Sequence, residues 1–256
     1  MPKSTFELFY WPTIQGRGEF VRLTLEAADA DYVDIGRGHG LHAGVAAMQR
    51  LKDATSTLRP PFAPPFLRHG DILIGQTANI LFYLGPLLGL APSAEADRLW
   101  AHQIQLTVTD FVAEIHDTHH PISIGLYYED QREAAALRAA AFRAERAPRF
   151  LGWFEQVLRR NPAGHSHLVG AALTYADLSL FQLIAGLRFA FPDAAQHWER
   201  AVPQCVELHD AVAQLPRVAA YLASPRRIAF NNDGIFRHYL ELDDPHPARA
   251  RKHRDA

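Results

Sequence analysis

Several groups of residues in this sequence can do chemistry. His116, His119 and His120 would share a face at positions i, i+3 and i+4 of a continuing helix, a spacing that suits a divalent metal. Pro121 opposes helix at His120. The other reading is that this segment, with Tyr127 and Tyr128 after it, lines a polar and aromatic cleft. Gln76-Thr77 opens the apolar helix pattern Ala78-Asn79-Ile80-Leu81, where free backbone N–H groups and the positive helix end suit a carboxylate. The competing reading is that Thr77 simply caps its own helix. Thr174 and Asp177 have capping-box spacing and read as folding residues. The single cysteine, Cys205, excludes an internal disulfide and a cysteine-rich metal site, and beside Val206 and Leu208 it reads as a small buried hydrophobe.

These groups need elements to position them. Residues 5–10 are rich in aromatics and read as a strand, residues 19–28 place Val21, Leu25 and Ala28 on one helical face, and residues 32–35 read as a second strand. This order implies a parallel pair with a right-handed crossover. Residues 36–59 give no clear period. The proline-dense Pro60-Pro61-Phe62-Ala63-Pro64-Pro65 leads into Phe66-Leu67, a turn at His69-Gly70-Asp71, a strand over 72–74 and a helix over 77–84. Residues 89–94 read as a linker. Beyond it only helical periodicity is found, over 95–115, 131–161 with a break at Pro148, 175–191, 204–214 and 217–224, before a tail of about thirty residues that reads as extended.

With a proline opening its third strand, this pattern resembles a thioredoxin-type fold, and four local signatures resemble those of the cytosolic glutathione transferases. They are Tyr10-Trp11-Pro12 leading to Gly16-Arg17, Pro64-Pro65-Phe66-Leu67, Gln76-Thr77, and Leu173-Thr174-Tyr175-Ala176-Asp177-Leu178. The resemblance implies an α/β thioredoxin-like N-terminal domain over 1–88 and an all-α helical C-terminal domain over 98–256, the first holding glutathione and the second a small hydrophobic electrophile. It implies that the Tyr10 hydroxyl donates to the glutathione sulfur and that Arg17 adds positive potential. The turn from Tyr10 to Gly16 is one residue longer than the family's usual one, so Thr13 is the alternative hydroxyl. A free thiol titrates near pH 8.5, and lowering that by about 2 units requires roughly 2.7 kcal/mol of differential stabilisation of the thiolate.

The same resemblance implies that Pro65 is cis and that Pro64 contacts the cysteinyl part of glutathione, although Pro64 has no N–H to donate. Gln76 and Thr77 take the γ-glutamyl end, Trp11 lies beside the tripeptide, and Gln49, Arg50 and Lys52 are candidates for the glycine end. His116, His119, His120 and Tyr127 are placed in the second-substrate pocket. Residues 226–239, rich in aromatics, either fold over the cleft or anchor the terminus. A homodimer is expected, with glutathione as co-substrate and no tightly bound cofactor or metal.

Composition narrows the alternatives. The 26 basic and 28 acidic residues give a formal net charge of −2, leaving no overall field to attract nucleic acid or an anionic membrane. The basic run from Arg249 to Arg254 reads as a solvated tail. No stretch has the length and apolarity of a membrane span, no signal-peptide core follows Met1, and a cytoplasmic location is expected. No cysteine lies in the turn after Tyr10, which argues against a disulfide reductase. Three functions remain: a transferase that activates glutathione, a non-catalytic glutathione- or ligand-binding protein of the same fold, and a metal-dependent enzyme using the histidines.

Overall fold

The computed structural model describes residues 5–243. Strand β1 (Phe6–Phe9) leads to helix α1 (Gly18–Ala27) and strand β2 (Tyr32–Asp34). Helix α2 (Gly44–Lys52), strands β3 (Phe66–His69) and β4 (Ile72–Gly75), and helix α3 (Thr77–Leu87) follow. The four-stranded sheet has the order β2-β1-β3-β4, with β1 parallel to β2 and antiparallel to β3, and β3 antiparallel to β4. The parallel pair and the hairpin are those expected. The stretch that gave no clear period contains a single turn of 3-10 helix at Ile35–Arg37 and then α2.

Strand alternation divides the apolar residues between two faces. Phe6, Leu8 and Leu67 pack with Val21 and Leu25 of α1 and with Ile80 and Leu84 of α3. On the other face Phe9 and Phe66, stacked at 4.7 Å, pack with Ile35 and Met48. The opposite side of α1, at Phe20 and Leu23, joins the core of the helical region. Helix α1 is therefore buried on two sides, and one side only was expected from its period.

The helical region comprises α4 (Glu95–Asp117), α5 (Arg132–Ala141), α6 (Ala147–Arg160), α7 (Tyr175–Ala190), α8 (Pro192–Glu199), α9 (Pro203–Gln214), α10 (Pro216–Leu222) and the short α11 (Leu240–Asp243). A π-helical turn at Phe142–Arg146 joins α5 to α6. The break therefore lies upstream of Pro148, which sits in the first turn of α6. A proline lacks the N–H that would bond four residues back, and a widened turn accommodates that loss. Helices α8, α9 and α10 each begin at a proline, the first-turn position where a missing N–H costs nothing. The sequence reading missed α8 and started the other two one residue late.

Two folding expectations hold. Asp177 accepts from the Thr174 N–H at 2.7 Å, and it also accepts from the Leu168 N–H at 2.7 Å, so one carboxylate fixes both the start of α7 and the loop before it. Cys205 is fully buried, which raises its thiol pKa. The tail differs from its expected extended form. Its described part folds back across both regions and reaches α11, whose Asp243 accepts the N–H groups of Asp193 and Ala194 at the start of α8. The run from Arg249 to Arg254 lies outside the described residues.

Candidate active site

The register of the sheet sets out the site. Phe9 pairs with Phe66, and Phe66 pairs with Gly75. The residues just beyond those three, Tyr10, Pro65 and Gln76, therefore stand side by side at one end of the sheet, where α3 begins. The Pro64–Pro65 bond is cis, as expected. Three segments that are apart in the sequence thus meet in one row.

Tyr10 is buried, at 4% exposure, beneath the turn that leads into α1. Gly16 has φ 45°, and a Cβ there would lie 2.1 Å from the Tyr10 hydroxyl, so this position requires glycine. The Arg17 backbone N–H donates to that hydroxyl at 2.9 Å. Burial raises the phenol's pKa, opposed by the Arg17 N–H and by the charges of Arg17 and Arg22. The phenol therefore keeps its proton at neutral pH, and that proton is free to donate. Among the described residues no carboxylate pairs with the Arg17 guanidinium. Thr13 is exposed on the same turn, and its carbonyl accepts from Asn231 at 2.8 Å. Trp11 is also exposed.

At the α3 end, the capping position is Gln76, with φ 69° and no side-chain cap. The Ile80 N–H is the first to bond within the helix, to the Gln76 carbonyl, so those of Thr77, Ala78 and Asn79 are free of helical partners. The Thr77 hydroxyl is buried and has no hydrogen-bond partner. The reading of Thr77 as a plain cap is thereby corrected. A buried hydroxyl left unpaired among free N–H groups at a helix N-terminus is an arrangement that an anion would complete.

The glycine-end candidates are less well gathered. Gln49 is exposed on α2, Arg50 donates to the Leu41 carbonyl, and Lys52 pairs with its neighbour Asp53.

Arg22, which sequence reasoning missed, organises the turn. Fully buried, it donates to the carbonyls of Trp11 at 3.4 Å and Ile14 at 3.3 Å, pairs with Asp34 at 2.7 Å and with Glu19 at 3.4 Å, and lies 5.6 Å from the centre of the Tyr10 ring. Glu19 in turn accepts from Tyr221 of α10 at 2.6 Å and from Arg227 of the tail at 2.5 Å. Gln15 donates to the Ile228 carbonyl at 2.5 Å and accepts from Gln182 of α7 at 2.7 Å. The one signal available in the sequence was an acid and a base at i, i+3 on an otherwise apolar helix.

The histidines lie at and just beyond the end of α4. Their rings are within 5.0 Å of one another, with His116 stacked on His120. Burial is the main cause of their lowered pKa values, to about 4 for His116 and about 3 for His119, and the charges of Arg17 and Arg237 reach His116 as well. His119 spends one ring nitrogen on the Ile235 carbonyl and the other on His120. Among the described residues no group of three or more His, Cys, Asp or Glu is arranged to hold a metal. The metal-dependent reading therefore finds no ligand set. Tyr127 is 78% exposed and apart from the cluster, and it is Tyr128 that anchors the tail, stacked on Tyr239 at 3.8 Å and donating to Glu241 at 2.8 Å. No helix among the described residues is long and apolar enough to cross a membrane.

Comparison with known proteins agrees with this geometry. Residues 116–225 match the family model described as glutathione S-transferase, C-terminal domain. A glutathione S-transferase of Plasmodium falciparum is 22% identical over 228 residues, covering 87% of this chain and 98% of that protein. Glutathione S-transferase P of Capra hircus is 23% identical over 232 residues, covering 88% and 95%. Among solved structures, the Pi-class glutathione S-transferase of Onchocerca volvulus superposes with a TM-score of 0.64 at 20% identity, covering 85% of this chain and 92% of that one. Prostaglandin synthase D of Nilaparvata lugens gives 0.65 at 20%, covering 86% and 98%. The sheet order and the helical region that follows it thus have the architecture of glutathione transferases, the proteins that this chain resembles in sequence and in fold.

Proposed function

We propose that this protein is a glutathione transferase that binds glutathione across the sheet end formed by Tyr10, Pro65 and Gln76 and activates its thiol as thiolate for attack on a small hydrophobic electrophile. The observation that carries this reading is the Tyr10 hydroxyl, which accepts the Arg17 N–H at 2.9 Å and so has its own proton available. Donation of that proton to the sulfur is a charge-assisted hydrogen bond, and Arg17 and the N-terminus of α1 add positive potential. Thr77 and the first N–H groups of α3 would receive the γ-glutamyl carboxylate. Proximity and the preformed thiolate supply the rest of the acceleration. Thr13 remains the alternative hydroxyl, being exposed on the same turn.

Calorimetric titration with glutathione, with thiolate absorbance read near 240 nm, tests the reading. Binding should generate thiolate below the pH at which free glutathione ionises. Tyr10→Phe should lower the thiolate yield about 10- to 100-fold, the range of one hydrogen bond to a charged group, and Thr13→Ala should change it less than about twofold. The reverse pattern would assign the role to Thr13. Pro64, with no N–H, favours a second reading in which glutathione or another ligand is bound without turnover. Tight binding without thiolate would select it.

The reading carries a homodimer in the cytoplasm. Leu58 and Phe62 are each 91% exposed in the loop before the cis proline, and Leu99, Leu106 and Leu137 are exposed on α4 and α5. These give an apolar surface for a second copy. Phe62→Ser should shift the sedimentation coefficient toward the monomer.

A further inference from the structure

Helices α4 and α6 run antiparallel and meet through aromatic side chains. Phe111 stacks on Phe150 at 4.4 Å, and toward the start of α4 Trp100 meets Trp153 edge to face at 6.0 Å. Beside the two tryptophans lies a cavity of about 430 Å³, a size that suits a small organic molecule. Trp153, Gln156, Val157 and Arg160 recur at i, i+3, i+4 and i+7 and so line it from one face of α6, while Asp97 and Trp100 line it from the first turns of α4.

The loop that closes the cavity is preformed. Asn161, buried just after α6, donates to the carbonyls of His167 at 2.8 Å and Gly170 at 2.7 Å and accepts the Ala163 N–H at 3.2 Å. Leu168 and Val169 complete the apolar lining. Asp97 and Arg160 are exposed, and among the described residues neither has an ion-pair partner, in each other or elsewhere. Helix dipoles favour an acid in the first turn of α4 and a base in the last turn of α6. They do not require that both open on a cavity walled by two half-buried indoles.

This cavity is separate from the row at the sheet end. No residue of that row or of the histidine cluster lines it. Trp100 and His116 are sixteen residues apart on α4, about 24 Å along its axis, and it is at His116 that the charge of Arg17 is felt. The two places thus lie toward opposite ends of one helix.

We propose that the cavity is a second binding site, for an aromatic α-amino acid: the ring lies against Trp100 and Trp153, Asp97 accepts from the α-ammonium, and Arg160 and the Gln156 amide donate to the α-carboxylate. An indole wall suits a planar aromatic group, and a guanidinium suits a carboxylate. A zwitterion meets both charges at once, whereas an aromatic acid or amine leaves one of them unmatched. The inference goes beyond the transferase reading and does not depend on it.

The test is calorimetric titration of the full-length protein with L-tryptophan, with 3-(indol-3-yl)propionate, which lacks the ammonium, and with tryptamine, which lacks the carboxylate. L-Tryptophan should bind once per chain with a Kd below about 1 mM. Each of the other two should bind at least about tenfold more weakly, the effect of one lost hydrogen bond to a charged group. Asp97→Asn should weaken L-tryptophan about tenfold without weakening the propionate, and Arg160→Gln should weaken L-tryptophan likewise without weakening tryptamine. Both side chains are exposed, so the melting temperature should not move. Glutathione carries an α-amino acid group of its own, so the titration is repeated with glutathione in excess, and the Kd for L-tryptophan should be unchanged. Displacement by glutathione would put the amino acid at the sheet end and overturn the proposal. So would equal affinity for the three compounds, a Kd that neither substitution changes, or no saturable binding of L-tryptophan below about 1 mM.

Discussion

The sheet end and the histidine cluster are two walls built in different ways. At the sheet end, Tyr10, Pro65 and Gln76 are aligned by strand register, and each belongs to a short run of sequence with its own backbone chemistry: a glycine-bearing turn, a proline pair, a helix start. On the other wall, His119 is held by the Ile235 carbonyl, more than a hundred residues away in the chain, His120 is held by His119, and the tail is held by Glu19, Gln15 and Gln182. Local chemistry makes one wall and long-range hydrogen bonding makes the other. The tail touches both, since it bonds the turn at Thr13 and Gln15 as well as His119, so a change in it reaches the two together.

The largest expected effect tests whether the buried ion network really joins the walls. Arg22→Met leaves the Asp34 carboxylate without its close cation and the Trp11 and Ile14 carbonyls without their donor, and should cost about 3–5 kcal/mol of stability in urea unfolding. A loss under about 1 kcal/mol would mean that the turn stands without Arg22, and the two walls would then be independent.

The histidine wall should respond to acid before the sheet end does. The folded-state pKa values of His116 and His119, about 4 and about 3, lie below the unfolded value, so the unfolded chain binds more protons between those values and about pH 6.5. Stability from this source is complete above about pH 6.5 and is lost as pH falls. From pH 7 to 5 the loss should be about 2–4 kcal/mol, and the double variant His116→Gln/His119→Gln should remove at least half of it. Equal acid sensitivity in that variant would place the titrating groups elsewhere.

A smaller effect sharpens the sheet-end side. The Thr77 hydroxyl has no protein partner, so Thr77→Val should leave the melting temperature within a degree or two and raise the glutathione Kd about 3- to 10-fold, the effect of one hydrogen bond. A loss of stability with unchanged Kd would make Thr77 a structural residue.

Legibility followed the same division. The βαβ and hairpin order, the cis proline and the capping role of Asp177 were readable because alternation, proline chemistry and capping act within a few residues. Residues 44–52 were not, since α2 has only Ala47 and Met48 fully buried and its apolar period is short. Helix α8 was missed although Pro192 marks its start, because Phe191 ends one helix and caps the next, so no loop composition separates the two. Among the site residues, Tyr10, Pro65 and Gln76 stand in the row at the sheet end, whereas Tyr127 is in solvent and Lys52 is paired with Asp53. Arg22 and Gln15 went unnoticed, and Tyr128 was read as lining a cleft and not as the anchor of the tail, because their roles depend on partners far away in the chain.

By itself the sequence determined the elements, their order, and which residues carry hydroxyls, guanidinium and imidazole groups, since periodicity and turn chemistry are short-range. Tertiary structure decided that Tyr10 keeps its proton while accepting the Arg17 N–H, that the Thr77 hydroxyl is left unpaired, and that His119 meets the Ile235 carbonyl on one side and His120 on the other. The reason is physical: a side chain's proton and charge depend on burial and on the partner it meets, and those partners are brought together only when the tail closes over the turn.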